Sequence, residues 1–291
     1  MNIHSLIDSV SVTLGSKFYP KYFRDSIETP SFSEHLFQVI IDFPDIKGEG
    51  DYDAVSKTLT GETYSGFRLA QWLGNEYPTV IYHHGASEIP FDYGFRHIFP
   101  YQKKKIAANL FLVRAPFHAT RKEFTEGLAT LSNFVMMMAV SVALIEKIVI
   151  YVKECSDKKV LVAGSSLGGF ITNLHHIYYQ SADVYTPLIA GTAMDDAFLR
   201  SVYSKAVSDK AKERPDHMAD ILNFTEEFGK VDSENVFPLL SRYDAIIRYD
   251  VQKDSYGSCP VETMDKGHST GALSYEYLLN HMLKHLSGED R

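Results

Sequence analysis

The residues best suited to chemistry lie in segment 160–169, VLVAGSSLGG, where four apolar residues run into glycines around two adjacent serines. A serine on a sharp turn between a strand and a helix holds its hydroxyl clear of the backbone, where it can attack a carbonyl carbon. The residues two before and two after such a serine crowd each other, so both must be very small. Ser166 has Gly164 and Gly168 at these positions, whereas Ser165 would have a leucine after it. The sequence therefore predicts Ser166 as a nucleophile.

Two phosphate-binding interpretations of the same turn need residues that it lacks. A P-loop needs a lysine directly after its last glycine, and none follows Gly168 or Gly169. The dinucleotide fingerprint needs the spacing Gly-x-Gly-x-x-Gly, which the segment does not have. A plain turn without chemistry stays open as the alternative to the nucleophile.

The elements that must position this turn are short β-rich runs alternating with longer helical runs. Strands are predicted at residues 36–43, 66–73, 79–83, 109–114, 159–163, 184–190, 235–240 and 258–264. Helices are predicted at residues 123–154, 167–179 and 271–286. Such alternation predicts an α/β fold, a mainly parallel eight-stranded sheet with helices on both faces. Ligands then bind beyond the carboxyl ends of the strands, so the residues that follow each strand are the ones to examine for chemistry.

A strand, this glycine-serine turn and a helix together resemble the α/β-hydrolase superfamily of serine hydrolases, with its uncharacterised bacterial esterase- and peptidase-like members most similar. The resemblance extends from about Leu36 to the C-terminus, and the family places its functional residues in the order nucleophile, acid, histidine. One departure is the sequence 84–87, HGAS, where some lipases and esterases have a long His-Gly-Gly-Gly loop. The resemblance therefore implies a serine hydrolase outside that subgroup.

The resemblance implies an acidic residue a few positions past the seventh strand, and Asp244 stands there, ahead of an apolar pair. Its role would be to hold the histidine in one tautomer and to stabilise the imidazolium. Asp195 and Asp196, just past the sixth strand, are the main rivals, and Asp250 and Asp254 are weaker ones. An aspartate that only caps a helix is the structural alternative.

The resemblance also implies a histidine after the eighth strand, and His268 stands there, in a predicted loop before the last helix. It would take the proton from Ser166 and return it to the leaving group. His281 and His285 lie inside the final predicted helix, where packing or a surface position is expected. His118 follows the fourth strand, and both a substrate contact and a solvated loop position stay open for it.

Two backbone N–H groups would complete the site as an oxyanion hole. One belongs to Leu167, the residue after the nucleophile. The second belongs to the loop after the third strand, where His84-Gly85 resembles the His-Gly signature of the family. Ala86 is the predicted donor in that loop, and Gly85 stays open as the alternative.

The composition excludes several classes of partner. A net charge of −8 argues against binding a nucleic-acid backbone, which needs a basic surface. The apolar run 134–145 is shorter than the roughly 20 residues that cross a bilayer, so we expect a buried core helix and no membrane span. Two distant cysteines form neither a disulfide framework nor a metal motif, which predicts a cytoplasmic protein with no metal and no cofactor.

The sequence as a whole predicts an N-terminal arm at residues 1–35 and an α/β-hydrolase domain at residues 36–291, with a small helical cap inserted at residues 195–232. The predicted activity is cleavage of a carboxylic ester or thioester of a small-molecule acyl substrate, through an acyl-enzyme on Ser166. A small-peptide serine peptidase and an inactive hydrolase-fold binding protein are the alternatives. A homodimer is compatible with the sequence.

Overall fold

The computed structural model describes residues 2–288, and a nine-stranded sheet forms its centre. The strands are β1 (Ile40–Asp42), β2 (Gly50–Thr58), β3 (Gly61–Gln71), β4 (Thr79–His83), β5 (Asn109–Arg114), β6 (Val160–Ser165), β7 (Val184–Leu188), β8 (Leu239–Ser241) and β9 (Glu262–Met264). Their spatial order is β1-β2-β3-β5-β4-β6-β7-β8-β9. All pairs from β5 through β9 are parallel, and those from β1 to β5 are antiparallel. The predicted mainly parallel α/β fold is confirmed, with nine strands instead of eight in the described chain.

Helices cover both faces of this sheet. They are α1 (Ile3–Phe18), α2 (Phe32–Phe37), α3 (Tyr93–Ile98), α4 (Arg121–Gly127), α5 (Leu131–Cys155), α6 (Leu167–Tyr179), α7 (Met194–Leu199), α8 (Asp209–Lys212), α9 (Pro215–Leu222), α10 (Thr225–Phe228), α11 (Tyr249–Ser255), α12 (His268–Ala272) and α13 (Tyr275–Ser287), with a 3₁₀ helix at Val202–Ala206. Helices α5 and α6 pack with one apolar cluster of the core, and α3 and α13 pack with the other. Strands β4 to β8 are therefore buried on both faces, as their apolar sequences require.

Strand β2 is the strand that the sequence did not predict. It pairs with β3 along its whole length as an antiparallel hairpin. Its sequence, GDYDAVSKT, has no apolar run, and only Ala54 and Ser56 are fully buried. Because one face of this hairpin is solvated, its strands carry too few apolar residues to be recognised by hydrophobicity alone.

The predicted strand at 36–43 is wrong in its first half, because α2 extends to Phe37 and the strand begins only at Ile40. Ser31 caps this helix, because its hydroxyl accepts a hydrogen bond from the Glu34 N–H while the Glu34 carboxylate accepts one from the Ser31 N–H. This reciprocal capping box favours a helix start over an extended chain. Only β1 remains of the predicted strand.

The predicted helix at 123–154 is two helices, α4 and α5. The break falls at Thr130, whose hydroxyl accepts a hydrogen bond from the Asn133 N–H and starts α5 afresh. Helix α5 is long and apolar enough to cross a membrane, but 78% of its most apolar window is buried inside the fold. It therefore has the place expected for a core helix.

Residues 2–31 contain α1 and a segment with little regular structure that lies against the region 195–232. Phe23 is buried against Phe134 and Phe198, and the Tyr22 hydroxyl accepts a hydrogen bond from the Tyr203 hydroxyl at 2.8 Å. The region 195–232 is helical as expected, built of short helices between β7 and β8. The division into arm, domain and cap stays a prediction, and residues 1 and 289–291 of these ranges lie outside the described residues.

Candidate functional site

The glycine-serine turn joins β6 directly to α6, and Ser166 is the single residue between them. Its backbone has φ 55° and ψ −115°, a conformation that side-chain-bearing residues rarely adopt. The Ser166 N–H donates a hydrogen bond to the Leu188 carbonyl at 2.9 Å, which ties the turn to β7. Ser165 is buried, and its hydroxyl lies 2.7 Å from the Tyr82 hydroxyl inside the core. Of the two serines, only Ser166 therefore presents its hydroxyl at the turn.

Close packing explains the glycines of the turn. A Cβ on Gly164 would lie 2.5 Å from the backbone of Gly168, and a Cβ on Gly168 would lie 2.2 Å from the His83 carbonyl oxygen. Both distances are far below van der Waals contact, so neither position has room for a side chain. The crowding that the sequence predicts around Ser166 is thus present, and β4 adds to it through His83.

The structure brings Ser166, His268 and Asp244 together from three loops at the carboxyl ends of β6, β9 and β8. His268 Nε2 lies 3.0 Å from Ser166 Oγ, and His268 Nδ1 lies 2.8 Å from Asp244 Oδ2. An ionised carboxylate only accepts hydrogen bonds, so Nδ1 carries the proton and Nε2 is free to accept one from the serine hydroxyl. This is the arrangement in which an imidazole acts as a general base toward a hydroxyl.

Asp244 is held by the loop that carries it as well as by the histidine. Its Oδ1 accepts hydrogen bonds from the N–H groups of Ile246 at 2.8 Å and Ile247 at 2.7 Å, which leaves Oδ2 for His268. Backbone donors therefore hold the Asp244 carboxylate independently of its contact with His268.

The rival aspartates have other partners or positions. Asp196 pairs with Arg248, and Asp195 pairs with Arg200. Asp250 and Asp254 are exposed on α11. None of the four has a hydrogen bond to His268 among the described residues.

His268 is the first residue of α12 and ends the loop that follows β9, whereas the sequence predicts it inside a loop before the last helix. Its side chain is 14% exposed and that of Asp244 is 1% exposed. Burial opposes the charged imidazolium, yet the Asp244 carboxylate, with a smaller contribution from Asp8, raises the pKa of His268 above its ordinary value. Burial likewise raises the pKa of Asp244, against the stabilising charge of His268. The geometry thus lets Asp244 stabilise a positive charge on His268 when the imidazole takes up a proton.

The loop after β4 brings Gly85 beside the nucleophile. A Cβ on Gly85 would lie 3.8 Å from Ser166 Cβ. The Gly85 N–H is already used, because it donates a hydrogen bond to Glu88 Oε1 at 2.9 Å, while the Gly94 N–H donates to Glu88 Oε2 at 2.8 Å. In the described chain the N–H of Ala86 donates no hydrogen bond. Of the two donors that the sequence left open, Ala86 is therefore the one that remains available.

His118 supports this loop from behind. Its Nε2 lies 2.9 Å from the Ala86 carbonyl oxygen, and its Nδ1 lies 2.9 Å from the Pro116 carbonyl oxygen. The ring is buried, and burial lowers the pKa of His118. The solvated loop position considered for His118 is wrong. Glu88 and His118 both hold the Ala86 loop in place; the position of His118 after the fourth strand draws attention to it in the sequence, whereas no motif marks Glu88.

Asp8 on α1 is a second group that sequence reasoning missed. It is fully buried, and its Oδ2 accepts a hydrogen bond from the His268 N–H at 2.8 Å, while its Oδ1 accepts one from the Ser269 N–H at 2.9 Å. The Ala245 N–H lies 3.3 Å from Oδ2. No sequence signal marks Asp8, because Ile3, Leu6, Ile7, Val10 and Leu14 of α1 are exposed, and its buried residues are Asp8 and Val12.

One group in the described chain has side chains of the metal-ligand type. The donor atoms of Glu262, His281 and His285 lie within 4.8 Å of one another, on β9 and α13. The Lys284 ammonium lies 3.7 Å from Glu262 Oε2 and already places a positive charge there. His281 Nε2 lies 2.9 Å from the Phe237 carbonyl oxygen, in keeping with the packing role expected for it.

The fold has close counterparts among solved structures. An acetyl xylan esterase from Thermoanaerobacterium sp. superposes with a TM-score of 0.55 at 12% identity, over 89% of this chain and 96% of that one. An acetyl xylan esterase from Paenibacillus sp. R4 has a TM-score of 0.57 at 11% identity, over 99% and 95%. An acylaminoacyl peptidase from Pyrococcus horikoshii has a TM-score of 0.56 at 11% identity, over 85% of this chain and 42% of that one.

No protein-family model and no curated protein matches the sequence. Identities this low establish the fold and leave the activity to be argued from the site. The strand order, the turn between β6 and α6 and the solved counterparts agree with one another: the chain has the α/β-hydrolase fold.

Proposed function

We propose that the protein is a serine hydrolase that cleaves carboxylic esters or thioesters through an acyl-enzyme on Ser166. The observation that carries the proposal is the continuous chain of hydrogen-bond distances from Ser166 Oγ through His268 to Asp244, 3.0 Å and 2.8 Å long. A serine hydroxyl alone is a weak nucleophile, and an adjacent base that is itself oriented by a carboxylate is what activates it.

In the acylation step, Ser166 Oγ attacks the carbonyl carbon of the substrate while His268 Nε2 accepts the hydroxyl proton. The electron pair of the C=O double bond moves to the oxygen, which accepts hydrogen bonds from the N–H groups of Ala86 and Leu167. When the tetrahedral intermediate collapses, the bond to the alcohol or thiol breaks, and His268 donates its proton to that leaving group. The acyl group stays on Ser166.

In the deacylation step, a water molecule attacks the acyl carbon as His268 accepts one of its protons. The bond to Ser166 Oγ breaks, the proton returns to the serine oxygen, and a carboxylic acid leaves. Asp244 stays ionised throughout and stabilises the imidazolium formed in each half of the cycle.

Covalent labelling with a fluorophosphonate probe tests the nucleophile. We expect the wild type to be labelled and Ser166→Ala to be unlabelled. Ser165→Ala is the matched control, because it removes the neighbouring hydroxyl, whose partner is Tyr82. Labelling of Ser166→Ala, or a folded wild type that is not labelled, would refute the proposal.

A substrate panel then identifies the bond that is cleaved. The panel contains p-nitrophenyl esters and acyl-CoA thioesters of increasing chain length, beginning with acetyl, and aminoacyl p-nitroanilides. Turnover of esters or thioesters supports the proposed class, and faster turnover of anilides would support the peptidase alternative. Labelling without turnover of any member would indicate a reactive serine whose substrate lies outside the panel, whereas a folded wild type that is neither labelled nor active would favour a binding protein. The cytoplasmic location stays a prediction.

A further inference from the structure

Helix α1 lies against both loops that carry the partners of Ser166. On the acid loop, the Ser5 hydroxyl donates a hydrogen bond to the Tyr243 carbonyl at 2.7 Å, and the Ala245 N–H lies 3.3 Å from Asp8 Oδ2. On the histidine side, Asp8 accepts the hydrogen bonds of His268 and Ser269. The two loops belong to different strands, so α1 is a direct link between them.

The backbone at Gly267 is shaped for this contact. A Cβ on Gly267 would lie 2.8 Å from Asp8 Oδ2 and 3.0 Å from His4 Cβ. His4 also contacts α12 beyond Gly267, because its Nδ1 lies 2.9 Å from Thr270 Oγ1. The absence of a side chain at Gly267 therefore allows α1 to approach the start of α12 closely.

We propose that Asp8 is a positioning residue for the reaction, and that its buried carboxylate fixes the backbone of His268 so that the imidazole keeps its distance to Ser166 Oγ. This inference rests on the proposed function, because it assigns Asp8 a role through His268. Asp8 itself touches neither Ser166 nor the reacting atoms.

The chemistry of the contact requires a carboxylate. Three N–H donors, from Ala245, His268 and Ser269, converge on the two oxygens of Asp8. A carboxylate accepts at both oxygens, whereas an amide of the same shape accepts at one and presents N–H groups at the other. Hydrogen bonds to an ionised acceptor are also about twice as strong as neutral ones. Asp8→Asn therefore keeps the volume of the side chain and loses at least one bond to the loops.

The charge of Asp8 acts on the imidazole as well. The charged or titratable groups of other elements that contact His268 or its loop are Asp244 and Arg242 from the acid loop, the latter paired with Asp265, and Asp8 and His4 from α1. Asp8 contributes to raising the pKa of His268, after burial and Asp244. Removing that charge destabilises the imidazolium, so the acid limb of the activity profile moves to lower pH.

The test compares Asp8→Asn with Thr13→Ala in the full chain. Thr13 is on the same helix, and among the described residues its hydroxyl has a hydrogen bond with the exposed Lys205 ammonium, at 2.8 Å, and none with either loop, so its variant weakens the docking of α1 away from the site. For hydrolysis of p-nitrophenyl acetate we expect kcat of Asp8→Asn to fall about 10- to 100-fold, with KM changed less than kcat, because the base is displaced and not the substrate. Thr13→Ala should match the wild type.

Two further readouts keep the result interpretable. The acid limb of kcat against pH should move to lower pH in Asp8→Asn only. Amide hydrogen exchange of segment 265–271 should be faster in Asp8→Asn than in Thr13→Ala, and this measurement does not require activity. Thermal unfolding of both variants verifies that they are folded.

The outcomes separate this inference from the proposed function. An Asp8→Asn enzyme with the kcat and the acid limb of Thr13→Ala would overturn the positioning role, even if its exchange were faster. If the wild type neither hydrolyses esters nor is labelled at Ser166, the proposed function fails. In that case only the amide hydrogen exchange of segment 265–271 tests the role of Asp8. Faster exchange in Asp8→Asn supports the inference that Asp8 fixes the backbone of His268, and unchanged exchange overturns it.

Discussion

The nucleophile and the base of the candidate site are held in place in different ways. Ser166 is fixed in the middle of the sheet, because Gly164 and Gly168 allow the strained turn and the strands β4 and β7 lie on either side of it. His268 is fixed by residues far from it in sequence, Asp244 at a separation of 24 residues and Asp8 at a separation of 260. The nucleophile and the base are in contact at one place, where Ser166 Oγ lies 3.0 Å from His268 Nε2.

This difference implies different sensitivities to substitution. The turn is embedded in the sheet, so damage there should appear first as lost stability. The histidine loop is held by hydrogen bonds at the rim of the sheet, so damage there should appear first as lost activity while the fold remains intact.

The largest effect is expected on the histidine side, from Asp244→Asn. An asparagine can keep both backbone hydrogen bonds, since Ile246 and Ile247 donate to the same oxygen, but its NH₂ group then replaces the oxygen that faces His268 Nδ1 and favours the wrong tautomer of His268. We expect kcat for p-nitrophenyl acetate to fall about 10⁴-fold. The melting temperature should change little by comparison.

Asp195→Asn is the matched control, because Asp195 is the rival acid and pairs with Arg200 instead. Its activity should stay near that of the wild type. A loss of activity in Asp195→Asn as large as in Asp244→Asn would contradict the assignment of the acid.

A smaller effect, this time on stability, is expected on the turn side from Gly168→Ala. The added methyl would lie 2.2 Å from the His83 carbonyl oxygen, so β4 or α6 must shift. Overpacking of this kind costs about 1 to 3 kcal/mol in the free energy of unfolding. Urea denaturation measures this loss directly.

Gly15→Ala on α1 is the control for a glycine that can accept a methyl, since nothing lies within 4 Å of its Cβ position. Because Gly15 lies inside α1, in its last turn, alanine there should raise stability by up to roughly 0.5 to 1 kcal/mol. Equal destabilisation by both substitutions would show that crowding does not distinguish the turn from the rest of the chain.

The smallest expected effect is the position of the acid limb of the pH profile. His268 must be neutral to accept the serine proton, and its pKa is raised above the ordinary value of 6.5 because the attraction of Asp244 and Asp8 outweighs burial. Activity should therefore be lost as the pH falls through a value above 6.5. Stopped assays of kcat/KM between pH 5 and 9, on an ester whose leaving group does not titrate there, measure this limb, and a midpoint below 6.5 would contradict the electrostatic account.

The same division explains how much of the site the sequence could predict. The turn can be predicted from the sequence because the features that define it lie close together. The end of a strand, two glycines and the start of a helix lie within ten residues. Asp244 and His268 were readable because they follow strands in the order typical of the fold. Their joint placement with Ser166 is present in the structure, and their catalytic roles stay predictions.

Asp8 and Glu88 were not readable, for a physical reason. Each accepts hydrogen bonds from backbone N–H groups, and a backbone donor leaves no mark in a sequence. Strand β2 was missed for a related reason, since its ladder of backbone bonds needs few apolar side chains. What the sequence conceals in this protein is mostly bonding to the main chain.

The 260-residue separation between Asp8 and His268 has a consequence for when the candidate site forms during synthesis and folding. During synthesis the N-terminal helix leaves the ribosome long before the strand that precedes His268, and contacts of such separation form late because closing the intervening chain is entropically costly. The glycine-serine turn can form earlier, because its segments are adjacent in sequence. Ser166 would then lack its general base until His268 is in place. A nascent or partly folded chain should therefore be a poor target for a fluorophosphonate, and the onset of labelling would time the completion of folding.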